Sequence, residues 1–361
     1  MTVYSRASRV TSVRYVRVSF PGLEETGEVR GVTGCVIEES QETALKVTGS
    51  LSYEGETGLD GMDDMVRVYS TSEADGESET TCHATLMVSM PSSESSGGSK
   101  TGTADLVSVL GVLSGALTQD ALTLPAGGAT VAFARGVVTG AGLECVSDES
   151  SHVAGTSHTW DVGTPLLDVV NDCMGWAGFG SATVDGYGTV LLRRYADPSE
   201  RALAATLSDE GAGDGFVIGA RRVAREHDPA SVPNVSTVVL SSYDEEPQSA
   251  TVRNDDPSSP FSTVSRGREI GLLTEIDEVS GTLADRALRA LRDAMRVTDR
   301  YEVDALWYPL AIGDVVRVDY GREGIHADCA LIGRRTTMTP LLRTSLTLRR
   351  TVDYFEATEV G

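Results

Sequence analysis

The first hundred residues alternate between apolar and polar side chains with a period of two, which restricts this part of the chain to β-strands. Four stretches show the pattern: residues 14–20, 45–53, 66–69 and 86–90. In the first of them, Val16, Val18 and Phe20 share one face. Glycine-rich turns separate the stretches, so the sequence predicts a small β-barrel or sandwich.

A change of period after this region predicts a mixed α/β segment. Residues 92–103 (SSESSGGSKTGT) are too polar to bury a core, which indicates a domain boundary or a flexible loop. A helix is predicted next, with Thr103 as its N-cap. Its apolar face consists of Leu106, Val109, Leu110, Leu113 and Leu117. A second helix is predicted from Thr164-Pro165 to Gly175, and a hairpin over residues 183–192 with its turn at 185–188.

From about residue 216 the pattern is that of β-structure again, interrupted by a helix predicted over residues 280–297. Further strands are predicted at residues 301–307, at 315–318 and around 346–348. The predicted fold class is therefore α+β and dominated by β-structure. Its three parts are a first β domain at residues 1–100, a mixed α/β connecting domain at 101–195, and a second β domain at 196–361 that carries the helix 280–297.

The predicted helix 280–297 has one apolar side and many arginines. Leu283, Ala287, Leu291 and Ala294 form the apolar side. The arginines are Arg286, Arg289, Arg292 and Arg296, which Asp285 and Asp293 partly offset. Two interpretations stay open: a solvated helix face, or a basic face that docks on the acidic loops of a neighbouring subunit.

The net charge of −23 argues against binding of DNA or RNA, because nucleic-acid recognition requires clustered lysine and arginine. An acidic wall would instead let DNA slide past without sticking. Two loops concentrate this charge: Glu54, Glu56, Asp60, Asp63 and Asp64 in one, and Glu73, Asp75, Glu77 and Glu79 in the other. Their spacing does not match a calcium-binding loop, so we interpret them as solvated acidic loops.

The sequence shows neither an export signal after Met1 nor an apolar run long enough to span a membrane. The hydrophobic fraction of 40% is sufficient for buried cores, so we expect a folded, soluble protein. The five cysteines are scattered and odd in number, which predicts buried free thiols rather than disulfides or a metal site. They are Cys35, Cys82, Cys145, Cys173 and Cys329.

Enzymatic signatures are weak throughout the chain. The five histidines are His83, His152, His158, His227 and His326, and none lies in a known catalytic motif. The arrangement closest to a metal or acid–base cluster is His152 and His158 with Asp148, Glu149 and Asp161, which we interpret as exposed polar residues. Trp160, Trp176 and Trp307 are candidates for a sugar-binding platform, although Trp307 fits a core position better. The glycine-rich residues 175–180 follow a predicted helix instead of opening one, which excludes a phosphate loop. We therefore predict no catalytic, cofactor-binding or metal-ligating residue, and no cofactor.

Several motifs in order along the chain resemble the hub proteins of phage tail tips and baseplates, a family that includes the N-terminal region of siphophage tail-associated lysins. The motifs are residues 44–51 (ALKVTGSL), 65–69 (MVRVY), 163–171 (GTPLLDVVN), 184–188 (VDGYG), 232–235 (VPNV), 253–263 (RNDDPSSPFST), 287–291 (ALRAL) and 309–318 (PLAIGDVVRV). None of these motifs is catalytic, and the resemblance depends on their order over nearly the whole chain.

The resemblance implies a non-enzymatic homotrimer in which each subunit contributes two tube-like β-barrel domains to a ring with pseudo-sixfold symmetry. Implied partners are tail-tube or distal tail protein rings, the tape measure protein, and spike or fibre proteins at the tip. The resemblance also implies that DNA passes transiently and non-specifically through the ring. Such a protein would lie at the tail tip of the virion after assembly in the host cytoplasm, and any spike or hydrolase would be a separate polypeptide. The alternatives are a receptor- or glycan-binding module of the tail tip, which needs an exposed aromatic groove, and a cell-wall-degrading enzyme.

Overall fold

The computed structural model divides the chain into two compact units. The first comprises Met1–Arg222 and Val303–Thr347, and the second Val223–Glu302 and Leu348–Gly361. The residues it describes are 3–5, 9–59, 64–96, 99–196, 198, 201–209, 223–226, 229–240, 248–276, 282–321 and 324–353. Both predicted domain boundaries, at residues 100 and 195, fall inside the first unit. The division into two units does not test these boundaries, and the three-domain division stays a prediction.

Seven antiparallel strands from the first third of the chain form most of a large sheet in the first unit. They are β1 (Val10–Ser19), β2 (Glu25–Glu28), β3 (Val32–Ser40), β4 (Val47–Glu54), β5 (Asp64–Ala74), β6 (Glu77–Ser96) and β7 (Ser99–Val107). Their order across the sheet is β3-β4-β7-β6-β5-β1-β2. The four alternating stretches of the sequence lie on β1, β4, β5 and β6, which confirms that this region is β-structure.

Strand β5 is packed on both faces of the sheet. Met65 and its cross-strand neighbour Val18 belong to one hydrophobic cluster, which extends under the helices of the mixed segment. The next residue, Val66, points to the opposite face and joins a second cluster with Ile37 and Leu51. Because successive side chains of a strand alternate between faces, burial on both sides accounts for the nearly continuous burial of β5.

The polar residues 92–103, predicted as a domain boundary or a flexible loop, lie in strands at positions 92–96 and 99–103. These two stretches extend β6 and β7 as an antiparallel pair in which Ser92 pairs with Thr103, and their hydroxyl oxygens lie 2.9 Å apart. The strands are stabilised by backbone pairing and by hydroxyl contacts between exposed side chains, so they need no buried apolar face.

The mixed segment follows the sheet. Its elements are α1 (Leu110–Gly115), β8 (Leu122–Leu124), α2 (Thr130–Gly140), β9 (Cys145–Ser147), β10 (His158–Trp160), α3 (Leu166–Trp176), β11 (Thr183–Val184) and β12 (Val190–Leu192). The predicted second helix and the hairpin at 183–192 are confirmed as α3 and as β11 with β12. The predicted N-cap is wrong, because Thr103 lies in β7, where Ala104 and Leu106 continue the buried alternation, and α1 begins only at Leu110.

The second unit contains a three-stranded sheet and two helices. In chain order its elements are β14 (Val223–Glu226), β15 (Val235–Leu240), β16 (Gln248–Arg253), α4 (Thr263–Arg266), β17 (Gly271–Ile276) and α5 (Leu283–Ala294), and β13 (Leu203–Ser208) precedes them in the first unit. Strand β15 pairs antiparallel with β16 and parallel with β17. The core of the second unit consists of Val232, Phe261, Leu291 and Met295. The predicted helix 280–297 is confirmed as α5, which is shorter than predicted and ends at Ala294. Residues 280 and 281 lie outside the described part.

Four strands complete the chain: β18 (Arg296–Leu306), β19 (Val315–Tyr320), β20 (Ile325–Thr337) and β21 (Arg343–Asp353). Strand β20 pairs with β3, and β19 pairs antiparallel with β20 and parallel with β13. These contacts bring residues 303–347 into the first unit, although the sequence assigned them to the last domain. Short 3₁₀ helices lie at Val3–Ser5 and Pro229–Ser231.

The architecture is dominated by β-structure, as predicted. The pairings of the described strands leave the large sheet open at β2, and they close no barrel. Among the described residues, no helix is long and apolar enough to cross a membrane.

Candidate interaction surfaces

The predicted polar cluster around His152 and His158 holds no metal-type arrangement, and none occurs among the described His, Cys, Asp and Glu residues. His152 Nδ1 lies 2.9 Å from Thr130 Oγ1, and His158 stacks on Trp176. The Asp148 carboxylate accepts hydrogen bonds from the Arg194 backbone N–H and the Arg193 guanidinium, which lower its pKa. These side chains are therefore engaged with different partners. His227 lies outside the described residues.

All five cysteines are free, as predicted, but only Cys35, Cys173 and Cys329 are buried, whereas Cys82 and Cys145 are half-buried. Burial raises the pKa of the Cys35 and Cys173 thiols to about 12. Because the thiolate is the reactive form of cysteine, these two side chains act as small apolar core residues and not as nucleophiles.

Helix α5 presents arginines on its exposed face. Thr282 caps the helix, because its hydroxyl accepts a hydrogen bond of 3.1 Å from the Asp285 backbone N–H. Ala287 and Leu291 on the opposite side are fully buried. Arg286 and Arg289 are exposed, and neither side chain bonds to any residue in the part of the chain that the structure describes. Arg286 and Arg289 thus give α5 an unpaired basic surface in an acidic protein.

The hairpin between β5 and β6 carries the second predicted acidic loop. Asp75 and Gly76 form its turn with positive φ angles of 51° and 83°. Glu73, Asp75 and Glu77 are exposed around this turn, and the exposed side chain of Val10 lies opposite Glu73 on β1. The hairpin tip is therefore a compact negative surface. Of the first predicted acidic loop, Asp60 and Asp63 lie outside the described residues.

The first unit has surface pockets at two places. One, of about 560 Å³, lies beside α2 and is lined by Arg135, Arg194, Asp148, Glu149 and serines 147, 150 and 151, among others. The other, of about 590 Å³, lies over the hydroxyl-rich β6–β7 hairpin and includes Tyr53, Glu54 and Glu94. The first pocket is lined by side chains of mixed charge and the second mainly by hydroxyl side chains. Neither lining brings together the convergent groups of a catalytic site.

The turn between β11 and β12 is held against the large sheet. The Gly186 carbonyl accepts hydrogen bonds from Thr85 Oγ1 at 2.8 Å and from Cys82 Sγ at 3.0 Å. Arg67, which is only 7% exposed, donates from Nη2 to the Tyr187 carbonyl at 3.1 Å and from Nε to Thr85 at 2.8 Å. The mixed segment is thus fixed to β5 and β6 by a buried guanidinium.

A second buried arginine holds the strands near Trp307. Arg334 bonds to the Glu39 carboxylate at 2.5 Å and to the Leu310 carbonyl at 2.7 Å, and its guanidinium lies 5.7 Å from the Trp307 ring. Trp307 is 3% exposed, which confirms its predicted core position. His83 contacts the same indole edge-on at 4.8 Å, and burial, assisted by the charge of Arg334, lowers the pKa of His83 to about 3.

Four aromatic side chains stack at the surface of the mixed segment. The rings of Trp160 and Trp176 lie 5.5 Å apart at 30°, and His158 stacks on Trp176 at 3.9 Å and 22°. Phe133 of α2 stacks on Trp160 at 5.8 Å and 13°. Asp172 Oδ2 accepts a hydrogen bond of 2.8 Å from Trp160 Nε1. Trp176 is 38% exposed, whereas Trp160 is 8% exposed.

The sequence identified Trp160 and Trp176 separately but gave no sign that Phe133 and His158 join them. One signal was present: His158 and Trp160 are two residues apart on a strand, so both side chains leave it on the same side.

No protein-family model and no curated protein matches this sequence. Among solved structures, the chain is similar to a tail protein from Neisseria meningitidis MC58, with a TM-score of 0.66 and 15% identity over 94% of this chain and 97% of that one. It is also similar to a 43 kDa tail protein of prophage MuSo2 from Shewanella oneidensis, with a TM-score of 0.63 and 13% identity over 95% and 99%.

A third similar structure is a chain of the Francisella PdpA–VgrG complex, with a TM-score of 0.57 and 8% identity over 98% of this chain and 59% of that one. At such low identities the likeness is one of fold. The chain therefore has the fold of these tail proteins.

Proposed function

We propose that this protein is a structural, non-enzymatic hub of a phage or prophage tail tip or baseplate. The observation that supports this best is the extent of the fold likeness to the two tail proteins, which spans more than nine-tenths of each chain. A likeness of that extent concerns the whole arrangement of elements and not one widely shared module. The ordered motifs that resemble the hub region of tail-associated lysins support the same role.

In this proposal the subunit forms a homotrimer whose two tube-like β domains give a ring of pseudo-sixfold symmetry. Closed rotational symmetry is the usual way to build a ring from identical subunits, and a duplicated domain in a trimer adapts threefold to sixfold symmetry. The ring joins the tail tube or distal tail protein rings to the tape measure protein and to the spike or fibre proteins. The ring is assembled in the host cytoplasm and is located at the tail tip of the virion.

The hub also forms part of the DNA passage. A net charge of −23 repels phosphates, so DNA would pass through without binding. We place acidic side chains on the wall of this passage. A ring structure in which all acidic loops face outward would contradict that assignment.

The contact between subunits involves the basic face of α5. Arg286 and Arg289 have no partner among the described residues, and the tip of the β5–β6 hairpin offers exposed carboxylates. We propose that α5 of one copy docks on this hairpin of the next copy, because opposite charges on two surfaces favour their association.

The first test is the mass of the purified protein by light scattering, combined with negative-stain electron microscopy. We expect three times the subunit mass of 38.1 kDa, or larger multiples of three, and ring-shaped particles. A monomer across the micromolar range that forms no rings would overturn the hub proposal.

A further inference from the structure

The pocket beside α2 contains charged groups that the fold uses unequally. Its lining includes Arg135 of α2, Arg194, and the residues Asp148 and Glu149 that follow β9. Both carboxylate oxygens of Asp148 are engaged, because one accepts a hydrogen bond of 2.6 Å from the Arg193 guanidinium and the other accepts one of 2.9 Å from the Arg194 backbone N–H. Arg193 is not part of the lining, so Asp148 is neutralised from outside the pocket.

Arg194 is held in place while part of its guanidinium stays unused. Its Nε and Nη2 atoms donate to the Glu149 backbone carbonyl at 3.2 and 2.6 Å, and the guanidinium lies 5.8 Å from the centre of the Phe179 ring. Nη1 donates to no residue in the described part of the chain. A guanidinium that is fixed before a ligand arrives loses little conformational entropy on binding, and its free N–H groups suit the oxygens of an anion.

Arg135 supplies a second cation to the pocket. Its side chain is exposed and forms no hydrogen bond or ion pair with any described residue. Burial raises the pKa of the Cys145 thiol and the charge of Arg135 opposes this rise, which places the guanidinium within reach of β9. Cys145 and Ser147 leave β9 on the same side, because they are two residues apart on the strand. Arg135 is therefore available to a ligand in the pocket that Ser147 also lines.

The charge balance inside this pocket is positive, although the whole chain carries −23. The lining contains the guanidinium groups of Arg135 and Arg194, and one carboxylate without a bonding partner among the described residues, that of Glu149. At physiological salt, exposed charges that lie more than ~8 Å away are largely screened. The groups of the lining therefore decide which ligands bind, and they favour an anion.

The pocket is larger than a single small anion requires. Its volume of about 560 Å³ is in the range of small-molecule sites. Apart from the arginines and the engaged Asp148, its polar groups are the hydroxyls of Ser147, Ser150 and Ser151 and the carboxylate of Glu149. Hydroxyl groups donate and accept hydrogen bonds, and a carboxylate accepts them. This part of the lining therefore suits hydroxyl groups of a ligand and not a second anion.

We propose that this pocket binds a phosphate ester of a polyol. The phosphate oxygens accept hydrogen bonds from Arg135 and from Arg194 Nη1, and hydroxyl groups of the polyol donate to the Glu149 carboxylate and bond to Ser147 and Ser151. A free amino acid is the competing ligand, because its carboxylate would bind the arginines and its ammonium group Glu149. The phosphate ester is favoured because an amino acid carries no net charge, whereas the pocket has an excess of positive charge.

Isothermal titration calorimetry of the full-length protein tests this proposal. The probes are glycerol 1-phosphate, inorganic phosphate, glycerol and alanine. We expect saturable binding of glycerol 1-phosphate in the millimolar range, several-fold weaker binding of inorganic phosphate, and no saturable binding of glycerol or alanine. Absence of saturation with glycerol 1-phosphate, equal or tighter binding of inorganic phosphate, or tighter binding of alanine would each overturn the proposal. The result does not depend on the hub proposal.

Variants locate the site. Arg135→Ala should weaken the binding of glycerol 1-phosphate several-fold. The matched control is Arg30→Ala, which removes another exposed arginine of the first unit without a bonding partner among the described residues and should leave binding unchanged. Circular dichroism checks the fold of each variant. Wild-type affinity in folded Arg135→Ala, or equal losses in Arg135→Ala and Arg30→Ala, would reject the pocket as the site.

A third variant tests the role of the carboxylate. Glu149→Gln keeps the size of the side chain but removes the charged acceptor for the polyol hydroxyls and the repulsion of phosphate. The preference for glycerol 1-phosphate over inorganic phosphate should therefore decrease in this variant. An unchanged preference would contradict the assignment of the polyol to this part of the pocket.

Discussion

Two arginines of the first unit and two of the second have opposite surroundings. In the first unit, Arg67 and Arg334 are 7% and 8% exposed, and each guanidinium bonds to carboxylate and carbonyl oxygens. In the second unit, Arg286 and Arg289 lie exposed on α5 without a bonding partner among the described residues. The same residue type thus lies in the interior at two positions of the first unit and on a bare surface at two positions of the second.

This difference separates stability from binding. A buried guanidinium is tolerated only if its hydrogen bonds are satisfied, so Arg67 and Arg334 restrict how strands and turns fit together. Exposed charges contribute little to the stability of a subunit, since water screens them. Arg286 and Arg289 therefore remain available for a negatively charged partner.

The largest expected effect is the loss of the Arg334 side chain. Arg334→Ala leaves Glu39, which is only 18% exposed, without its cation, and we expect the free energy of unfolding to fall by ~3–5 kcal/mol. Urea unfolding followed by circular dichroism measures this. The control is Arg317→Ala, which breaks an ion pair with Asp328 that is about half exposed on both sides, and it should change stability little. Equal losses in the two variants would remove the contrast between buried and exposed arginines.

A smaller loss of unfolding free energy is expected when a substitution pushes the turn between β11 and β12 away from the large sheet. A Cβ atom at residue 186 would lie 2.3 Å from the Cys82 carbonyl oxygen, so Gly186→Ala should cost ~1–3 kcal/mol. Gly136→Ala on α2 is the matched control, because a Cβ there meets nothing within 4 Å and alanine favours the helix. Denaturation midpoints compare the two. A neutral Gly186→Ala would mean that the turn is not held as tightly as its hydrogen bonds indicate.

Acid should weaken the first unit through His83. Its pKa in the folded chain is lowered to about 3, below the ordinary value of 6.5, so the unfolded chain binds the proton first as the pH falls. The stability that comes from neutral His83 is complete above pH 6.5 and is lost progressively as the pH falls toward 3. His83→Gln should flatten the decline of the urea midpoint between neutral pH and pH 5. An unchanged slope would show that other groups cause the decline.

The sequence predicted elements whose side chains repeat regularly and missed features that depend on distant contacts. The alternation of Val16 and Val18 predicted β1, and the spacing of Ala287 and Leu291 predicted α5. Polarity suggested a boundary or a flexible loop at residues 92–103, but residues 92–96 and 99–103 lie in strands, because each strand satisfies the backbone hydrogen bonds of the other. The stacking of Phe133 on Trp160 brings together residues of α2 and β10, and periodicity does not encode such a contact.

Charge reversal of Arg286 and Arg289 on α5 should have the smallest effect on the stability of the subunit. The same change should have a large effect on assembly. Arg286→Glu with Arg289→Glu should leave the unfolding midpoint of the subunit unchanged, because neither side chain has a bonding partner in the described residues. The double variant should dissociate the proposed trimer, which light scattering measures. Its matched control is Arg30→Glu with Arg135→Glu, two exposed arginines of the first unit that shift the net charge from −23 to −27 in the same way.

Charge exchange then identifies the partner surface. Glu73→Arg with Glu77→Arg on the β5–β6 hairpin should also dissociate the proposed trimer when this pair is introduced alone. Combined with the reversed α5, it restores opposite charges across the contact and should recover assembly, because the interaction depends on the product of the two charges. If the wild-type protein is a trimer and the variant with reversed α5 charges is a trimer too, this contact is rejected and the hub proposal stands. Recovery by the four-residue exchange would show that the arginines unused in the subunit fold serve to join one copy to the next.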